Sequence, residues 1–320
     1  MKRVLGLLFA KYIVFKNSFW ISSALKKQKK LMFYLVKSAK NTRFGKDHNF
    51  DKIYSYNDFK KFIPVKTYEG VKPYIKHIIS GEKDVLWPGK PIYFCKTSGT
   101  TSGTKFIPIS KESIRHHIRG ARDSIFSYVA ETKNTDILNG KMIFIQGSPN
   151  LEKTGEVLTG RLSGIVAHHV PFYLLKNRLP SFSTNCIDDW EKKIEAITKE
   201  TLSQKMSIIG GIPPWVQMYF EKVIEKTGKK VGEVFPFFKL FIYGGVNYKP
   251  YKKVFEDLVG KQIDGVELYP ASEGFLAYQN SRKVGDGMLL CVNHGIFYEF
   301  IEVDSFFLKN PKRICLDDVV

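Results

Sequence analysis

Residues 97–108 read TSGTTSGTKFIP: six small hydroxyl side chains, two glycines and a lysine, running straight into apolar residues and a proline. Glycine beside hydroxyls and a lysine is the composition of a phosphate cradle, in which backbone amides and hydroxyls turn to the oxygens and the lysine adds charge. The kinase-type cradle needs G-x-x-x-x-G-K followed by Ser or Thr, with a helix starting at the lysine. Here three residues separate Gly99 from Gly103, Thr104 precedes Lys105, and Phe106 follows it. Pro108 sits in the strand-like run KFIPIS and cannot join a helical ladder. The stretch therefore predicts a hairpin between the strands PIYFC and FIPIS, able to fold over a triphosphate and release pyrophosphate. An ordinary Gly/Ser/Thr turn is the plain alternative; nine such residues in succession, ending in lysine, outweigh it.

Around this hairpin, strand-like and helical runs alternate. KMIFIQG, MSIIGG, KLFIYGG, GVELYP, GMLLCV and IFYEFIEV read as strands. DDWEKKIEAITKE, with Trp190, Ile194 and Ile197 inward, WVQMYFEKVIEKTG and YKPYKKVFEDLVG read as helices. KESIRHHIRGARDSIFSYVAE places Ile114, Ile118, Ala121, Ile125 and Val129 on one helical stripe. Such alternation implies an α/β fold with a mostly parallel sheet whose functional loops lie at strand C-termini. Residues 1–90 read as mainly helical: Leu25, Leu31, Leu35 and Val36 fall near helical spacing, and SYNDFKKFIPV predicts a short helix halted at Pro64.

The chain has 320 residues, 43% of them hydrophobic, enough for a sizeable buried core. Its formal charge of +19 draws anions, but no basic segment interleaves with aromatics as a nucleic-acid reader requires, so nucleic acid is not expected as a partner. Cys95, Cys186, Cys291 and Cys315 are scattered without metal-ligand spacing, which predicts reduced thiols in a cytoplasmic protein. The N-terminus has a signal-like basic start, yet its apolar run VLGLLFA stops at Lys11 and no A-x-A-like site follows. It reads as an amphipathic helix with Val4, Leu7, Leu8, Tyr12 and Phe15 on one face. No unbroken run of about 18 apolar residues marks a membrane span; peripheral contact with an anionic surface, through this helix and the cluster LKKQKK, is compatible with the pattern.

TSGTTSGTK resembles the phosphate-binding signature of the adenylate-forming superfamily, T-S-G-T-T-G-x-P-K-G, with Thr97, Ser98, Gly99, Thr100, Thr101 and Lys105 in register. Ser102, Thr104 and Phe106 depart from it, and those departures with the sequel FIP resemble the auxin-responsive Gretchen Hagen branch, the acyl acid amido synthetases of plants and their bacterial relatives. YPASEG, residues 269–274, independently resembles that branch's Y-x-A-S-E-G motif. FIYGGV, GGIPPW around Trp215, NTRFGKDHNFDKI, FIPVKTYEGVKPYI, GEKDVLWPG and HGIFYEFI follow the branch's order, so the resemblance covers almost the whole chain.

The resemblance implies the large N-terminal domain of the adenylate-forming fold, of acyl-CoA synthetase and luciferase type, with residues 1–90 as its helical part and 91–320 as its α/β part. It implies ATP and Mg²⁺ as cofactors, with small carboxylic acid and amine (amino acid) substrates as partners. The phosphate site would comprise Ser98, Gly99, Thr100, Thr101, Ser102, Gly103 and Ser272, with Lys105 as the catalytic charge. Gly244, Gly245, Val246 and Tyr269 would line the adenine, and Glu273 would be catalytic as the Mg²⁺ ligand. The family's ribose motif and mobile C-terminal subdomain do not occur; KVGDG, with Asp286 only 13 residues beyond Glu273, reads as a turn between strands. The chain is thus expected to be an incomplete N-terminal domain. His168 and His169, in an apolar stretch without a nearby acidic partner, read as satisfied core or pocket-wall histidines. The implied reaction is adenylation followed by amide formation. A thioester-forming coenzyme A ligase and a non-catalytic nucleotide-binding module share the same residues.

Overall fold

The computed structural model describes residues 2–99, 103–283, 287–308 and 310–319. Five helices come first: α1 (Lys2–Ile21), α2 (Ala24–Ala39), α3 (Arg43–Asp47), α4 (Tyr56–Phe62) and α5 (Tyr68–Ile79). Thr42 and Ser55 cap α3 and α4 by accepting from the backbone N–H groups of Gly45 and Asp58, and α4 ends two residues before Pro64, as its sequence predicts. The docked side of α1 carries Ala10, Ile13, Asn17 and Trp20, whereas Val4, Leu8, Tyr12 and Phe15 face outward. In α2 the inward residues are Gln28, Met32, Val36 and Ala39; of the apolar positions expected there only Val36 is buried, and Leu25 is exposed. Gln28 takes the inward place because its amide donates to the carbonyls of Val292 (2.6 Å) and Ile296 (2.9 Å) and accepts from the N–H of Tyr298 (2.8 Å). A buried amide with partners is stable where an unpartnered one would not be.

The hairpin β1 (Tyr93–Gly99) and β2 (Gly103–Ile109) leads into α6 (Lys111–Thr132), β3 (Lys141–Ile145), β4 (Glu152–Thr154), β5 (Val157–Gly160), α7 (Leu162–Ala167), α8 (Phe172–Leu175), β6 (Arg178–Leu179) and α9 (Phe182–Asn185). There follow α10 (Trp190–Thr201), β7 (Met206–Gly211), α11 (Pro213–Thr227), α12 (Val231–Val234), β8 (Leu240–Gly244), α13 (Lys252–Val259), β9 (Asp264–Ala271), β10 (Gly274–Tyr278), β11 (Leu289–Leu290), β12 (Glu299–Phe300) and β13 (Ile314–Cys315). The large sheet runs β11-β10-β9-β8-β7-β3-β6, parallel from β9 to β6 with β10 and β11 antiparallel at one edge. A smaller sheet runs β2-β1-β5-β4, and β12 pairs with β13.

The central strands are continuous apolar runs because helices cover both faces. On one face Ile209 and Phe241 pack with Ile194 and Ile197 of α10, Tyr219 and Phe220 of α11 and Phe255 of α13. On the other, Ile208, Leu240 and Val266 pack with Tyr128 and Val129 of α6 and Ala10 of α1. Helix α6 lies against both α1 and the β9–β10 edge, so it is buried on more sides than one apolar stripe covers. Ile114 and Val129 of the expected stripe are buried, but so are Asp123, Ser124 and Ser127. The expected strands GMLLCV and IFYEFIEV shrink to two-residue ladders, since the polar groups of Val292, Ile296 and Tyr298 bond Gln28 instead. Asp286 lies outside the described residues.

The tightest point between α6 and the sheet edge is Gly120, where an added Cβ would stand 2.3 Å from the Phe275 ring. Gly120→Ala is expected to destabilise the protein by about 1–3 kcal/mol despite alanine's better helix propensity. Denaturant unfolding checks this, and a more stable variant would contradict the packing described.

Candidate active site

β1 and β2 pair from Tyr93↔Ile109 to Gly99↔Gly103, so TSGTTSGTK is an antiparallel hairpin, as its sequence predicts. Gly103 enters the second strand at φ +76, a left-handed conformation that glycine adopts without strain. Thr100, Thr101 and Ser102, and the side chain of Ser98, lie outside what the structure describes. The hairpin is held by β5, parallel to β1, and by Tyr68 of α5, whose hydroxyl accepts from the Phe106 N–H at 2.9 Å. Lys105 Nζ lies 5.5 Å from the centroid of the same Tyr68 ring, a cation–π contact.

The second motif closes the large sheet's edge. β9 and β10 form a hairpin with Ala271 opposite Gly274, which leaves Ser272 and Glu273 as its two turn residues. Ser272 Oγ accepts from the Cys95 thiol at 3.1 Å, joining this turn to β1. Burial pushes the Cys95 thiol up, and the nearby Glu273 carboxylate adds to the rise, so the sulfur stays protonated and donates. A cleft of about 720 Å³ opens beside this contact, lined by Thr97, Thr104, Thr159, Arg161, Asp188 and Ser272. Glu273, the next residue of the turn, lines a second cavity of about 440 Å³ with Ser113, His116 and His294. Lys105 lines neither.

At the C-terminal ends of the central strands, Gly244 pairs with Leu268 so closely that a Cβ on Gly244 would stand 2.2 Å from the Leu268 carbonyl oxygen. Gly245 follows at φ +83, and beside this turn Val246 and Tyr269 are exposed. The structure thus brings Thr97, Gly103, Ser272, Glu273, Gly244, Gly245, Val246 and Tyr269 to one end of the two sheets, with Lys105 turned to Tyr68. Trp215 packs on Trp190 at 4.7 Å at the rim of the core. His168 Nε2 bonds the Pro149 carbonyl oxygen at 2.8 Å and His169 Nε2 bonds Tyr93 Oη at 3.0 Å, so both rings are partnered; His168 is exposed and not a core residue. Arg161 and Thr159 escaped sequence reasoning, because nothing in GRLSG marks an arginine for the cleft.

These motifs can be set beside known proteins. A family model described as the GH3 family N-terminal domain matches residues 20–189, more than half of the chain. The chain belongs to the GH3 family. Among curated relatives, jasmonoyl--L-amino acid synthetase JAR4 of Nicotiana attenuata is 30% identical over 131 residues, which cover 40% of this chain and 22% of that protein. Indole-3-acetic acid-amido synthetase GH3.15 of Arabidopsis thaliana is 41% identical over 63 residues, 19% of this chain and 11% of that one. The solved structure of the AtGH3.15 acyl acid amido synthetase in complex with 2,4-DB superposes with a TM-score of 0.79 at 16% identity, over 97% of this chain and 63% of that one. A 2-hydroxyisobutyryl-CoA ligase shares the fold at a TM-score of 0.54 and 13% identity, over 84% of this chain and 53% of that one. This GH3 chain therefore has the adenylate-forming N-terminal fold, and its matches span under two thirds of these proteins' own length.

Half-buried His116 and buried His294 line the cavity beside Glu273, and His117 of the same helix is buried. His116 and His294 stack at 5.4 Å, and neither ring nitrogen of His117 has a partner. Burial, reinforced by Arg119 and neighbouring imidazoles, lowers His294 to about 3; burial with the His116 charge lowers His117 to about 4. Both are neutral in the folded protein at pH 5, whereas in the unfolded chain they protonate near 6.5. The unfolded state thus binds more protons, and stability falls as pH drops below 6.5. Each histidine is expected to lose about 2 kcal/mol of stabilisation between pH 7.5 and 5. Thermal unfolding at pH 7.5 and 5 checks this: His117→Gln should flatten the pH dependence by about half of the two-histidine effect, and parallel curves for the two proteins would contradict it.

Proposed function

We propose that this chain is the nucleotide- and acyl-binding domain of an ATP-dependent acyl acid amido synthetase, with residues 1–90 and 91–320 as its helical and α/β parts. The observation that carries the reading is the Cys95–Ser272 contact, which sets a Gly/Ser/Thr hairpin against the second motif's serine over a single polar cleft. In this reading a carboxylate oxygen attacks the α-phosphorus of ATP, the bond to the bridging oxygen breaks and pyrophosphate leaves. The amine nitrogen of an amino acid then attacks the acyl carbon, AMP departs and the amine's proton passes to solvent.

The groups fit such a substrate. The cleft offers Thr97, Thr104 and Ser272 hydroxyls and the Arg161 guanidinium for phosphate oxygens. Beside the turn at Gly244 and Gly245, the exposed Val246 and Tyr269 offer a stacking surface for adenine. Lys105 would reach the phosphates on leaving the Tyr68 ring, and the hairpin hydroxyls of Ser98, Thr100, Thr101 and Ser102, with the amides of Gly99 and Gly103, would complete the cradle. Mg²⁺ when bound would neutralise phosphate charge. Glu273 is the carboxylate of the β9–β10 turn, and among the described residues no three His, Cys, Asp or Glu side chains converge, so the other metal ligands would be phosphate and water. The protein's contribution is positioning and charge stabilisation. Four unpaired cysteines support a reducing, cytoplasmic setting.

The test is acid-dependent exchange of pyrophosphate into ATP by the natural full-length protein. Glu273→Ala is expected to lower exchange by about 100-fold or more, and Thr104→Val by about 10-fold. Unchanged exchange in Glu273→Ala would remove the metal assignment, and a product assay that yields thioester in place of amide would overturn the acceptor.

A further inference from the structure

The outer face of α1 is apolar and uncovered. Val4, Leu8, Tyr12, Phe15 and Phe19 recur at helical spacing on one side of the 20-residue helix, each more than half exposed. Lys11 and Lys16, both exposed, lie at the two borders of this stripe, one on each side at 100° per residue. The opposite side is fixed to the protein. Asn17 Nδ2 donates to Asp123 Oδ2 at 3.1 Å, Trp20 Nε1 donates to Asn17 Oδ1 at 2.9 Å, Arg3 pairs with Asp136 at 2.8 Å, and Phe9 packs edge-on against Phe126 at 4.8 Å.

The composition of α1 is apolar enough to cross a bilayer, and it is the one such helix among the described residues. Its anchored face argues for a different posture. Crossing would pull Asn17 from its buried partner Asp123 and carry its amide into hydrocarbon, whereas lying flat keeps that bond and inserts only the apolar stripe. The surroundings select the surface. The first acidic residue of the chain is Asp47, and before it stand twelve Lys and Arg, including exposed Lys26, Lys27, Lys29 and Lys30 on α2. An apolar stripe about 100° wide, bordered by lysines whose stems can lie along it while their ammonium groups reach outward, is the geometry of an interfacial helix.

We propose that α1 docks this protein on an anionic lipid surface, with Val4, Leu8, Tyr12, Phe15 and Phe19 in the acyl boundary and the lysines of α1 and α2 against headgroup charge. A second copy of the chain could cover an apolar stripe, but its identical lysines would then face each other. An acidic macromolecule would meet the lysines and leave the stripe wet.

Flotation with vesicles tests this on the 320-residue chain. Phosphatidylcholine vesicles holding about a third phosphatidylglycerol should bind it, and pure phosphatidylcholine vesicles at least about 10-fold more weakly, because basic residues add to apolar insertion only at an anionic surface. Phe15→Glu with Phe19→Glu should weaken binding by about 10-fold or more, and Lys11→Glu with Lys16→Glu should weaken it and reduce its salt dependence. All four side chains are exposed, so unchanged thermal unfolding is expected and separates lost docking from lost folding. No flotation with the anionic vesicles, equal flotation with neutral ones, or a dimer in sedimentation that the phenylalanine variants dissolve would each overturn the proposal.

Discussion

The hydrogen bond from the Cys95 thiol to Ser272 spans 177 residues and ties the smaller sheet, two residues before the first motif, to the turn of the second motif at the edge of the larger sheet. Its geometry depends on the rest of the fold. β1 reaches that point because it is clamped between β2 and β5, and Ser272 because β9 is the last parallel strand of the large sheet before the chain reverses into β10. A thiol suits the place: burial keeps it protonated, so it donates to the serine without bringing charge beneath a site meant for anions.

From this junction the two turn residues diverge. Ser272 joins the polar cleft under the hairpin, and Glu273 joins the cavity of the neutral histidines. A single turn therefore separates a hydroxyl suited to phosphate from a carboxylate suited to a cation. Lys105, held over the Tyr68 ring, adds a positive charge on the second strand of the hairpin, opposite Thr97.

Much of this arrangement was legible in the sequence, and the reasons are specific. Phe106 and Pro108 ruled out a helix after the glycine-rich loop, so the hairpin followed from local sterics alone. MSIIGG and KLFIYGG are short apolar runs between helical patterns, which is how buried parallel strands read. The inward faces of α2 and α6 were not legible, because Gln28 and Asp123 are buried by partners far along the chain, Val292, Ile296 and Tyr298 in one case and Asn17 in the other. The apolar stripe of α1 was visible, but which side of that helix meets the protein is decided by Ala10 and Asn17, small or polar residues that carry no such signal. His117 and His294 meet only in three dimensions, as do Arg161 and Thr97.

In the proposed function the hairpin and the β9–β10 turn form one nucleotide site. Amide hydrogen exchange of the chain with and without ATP and Mg²⁺ tests this. Added protection is expected in residues 96–105 and 269–274 together, with the β8 turn at 244–246 following. Protection confined to one of the two motifs, or found only in segments remote from both, would contradict it.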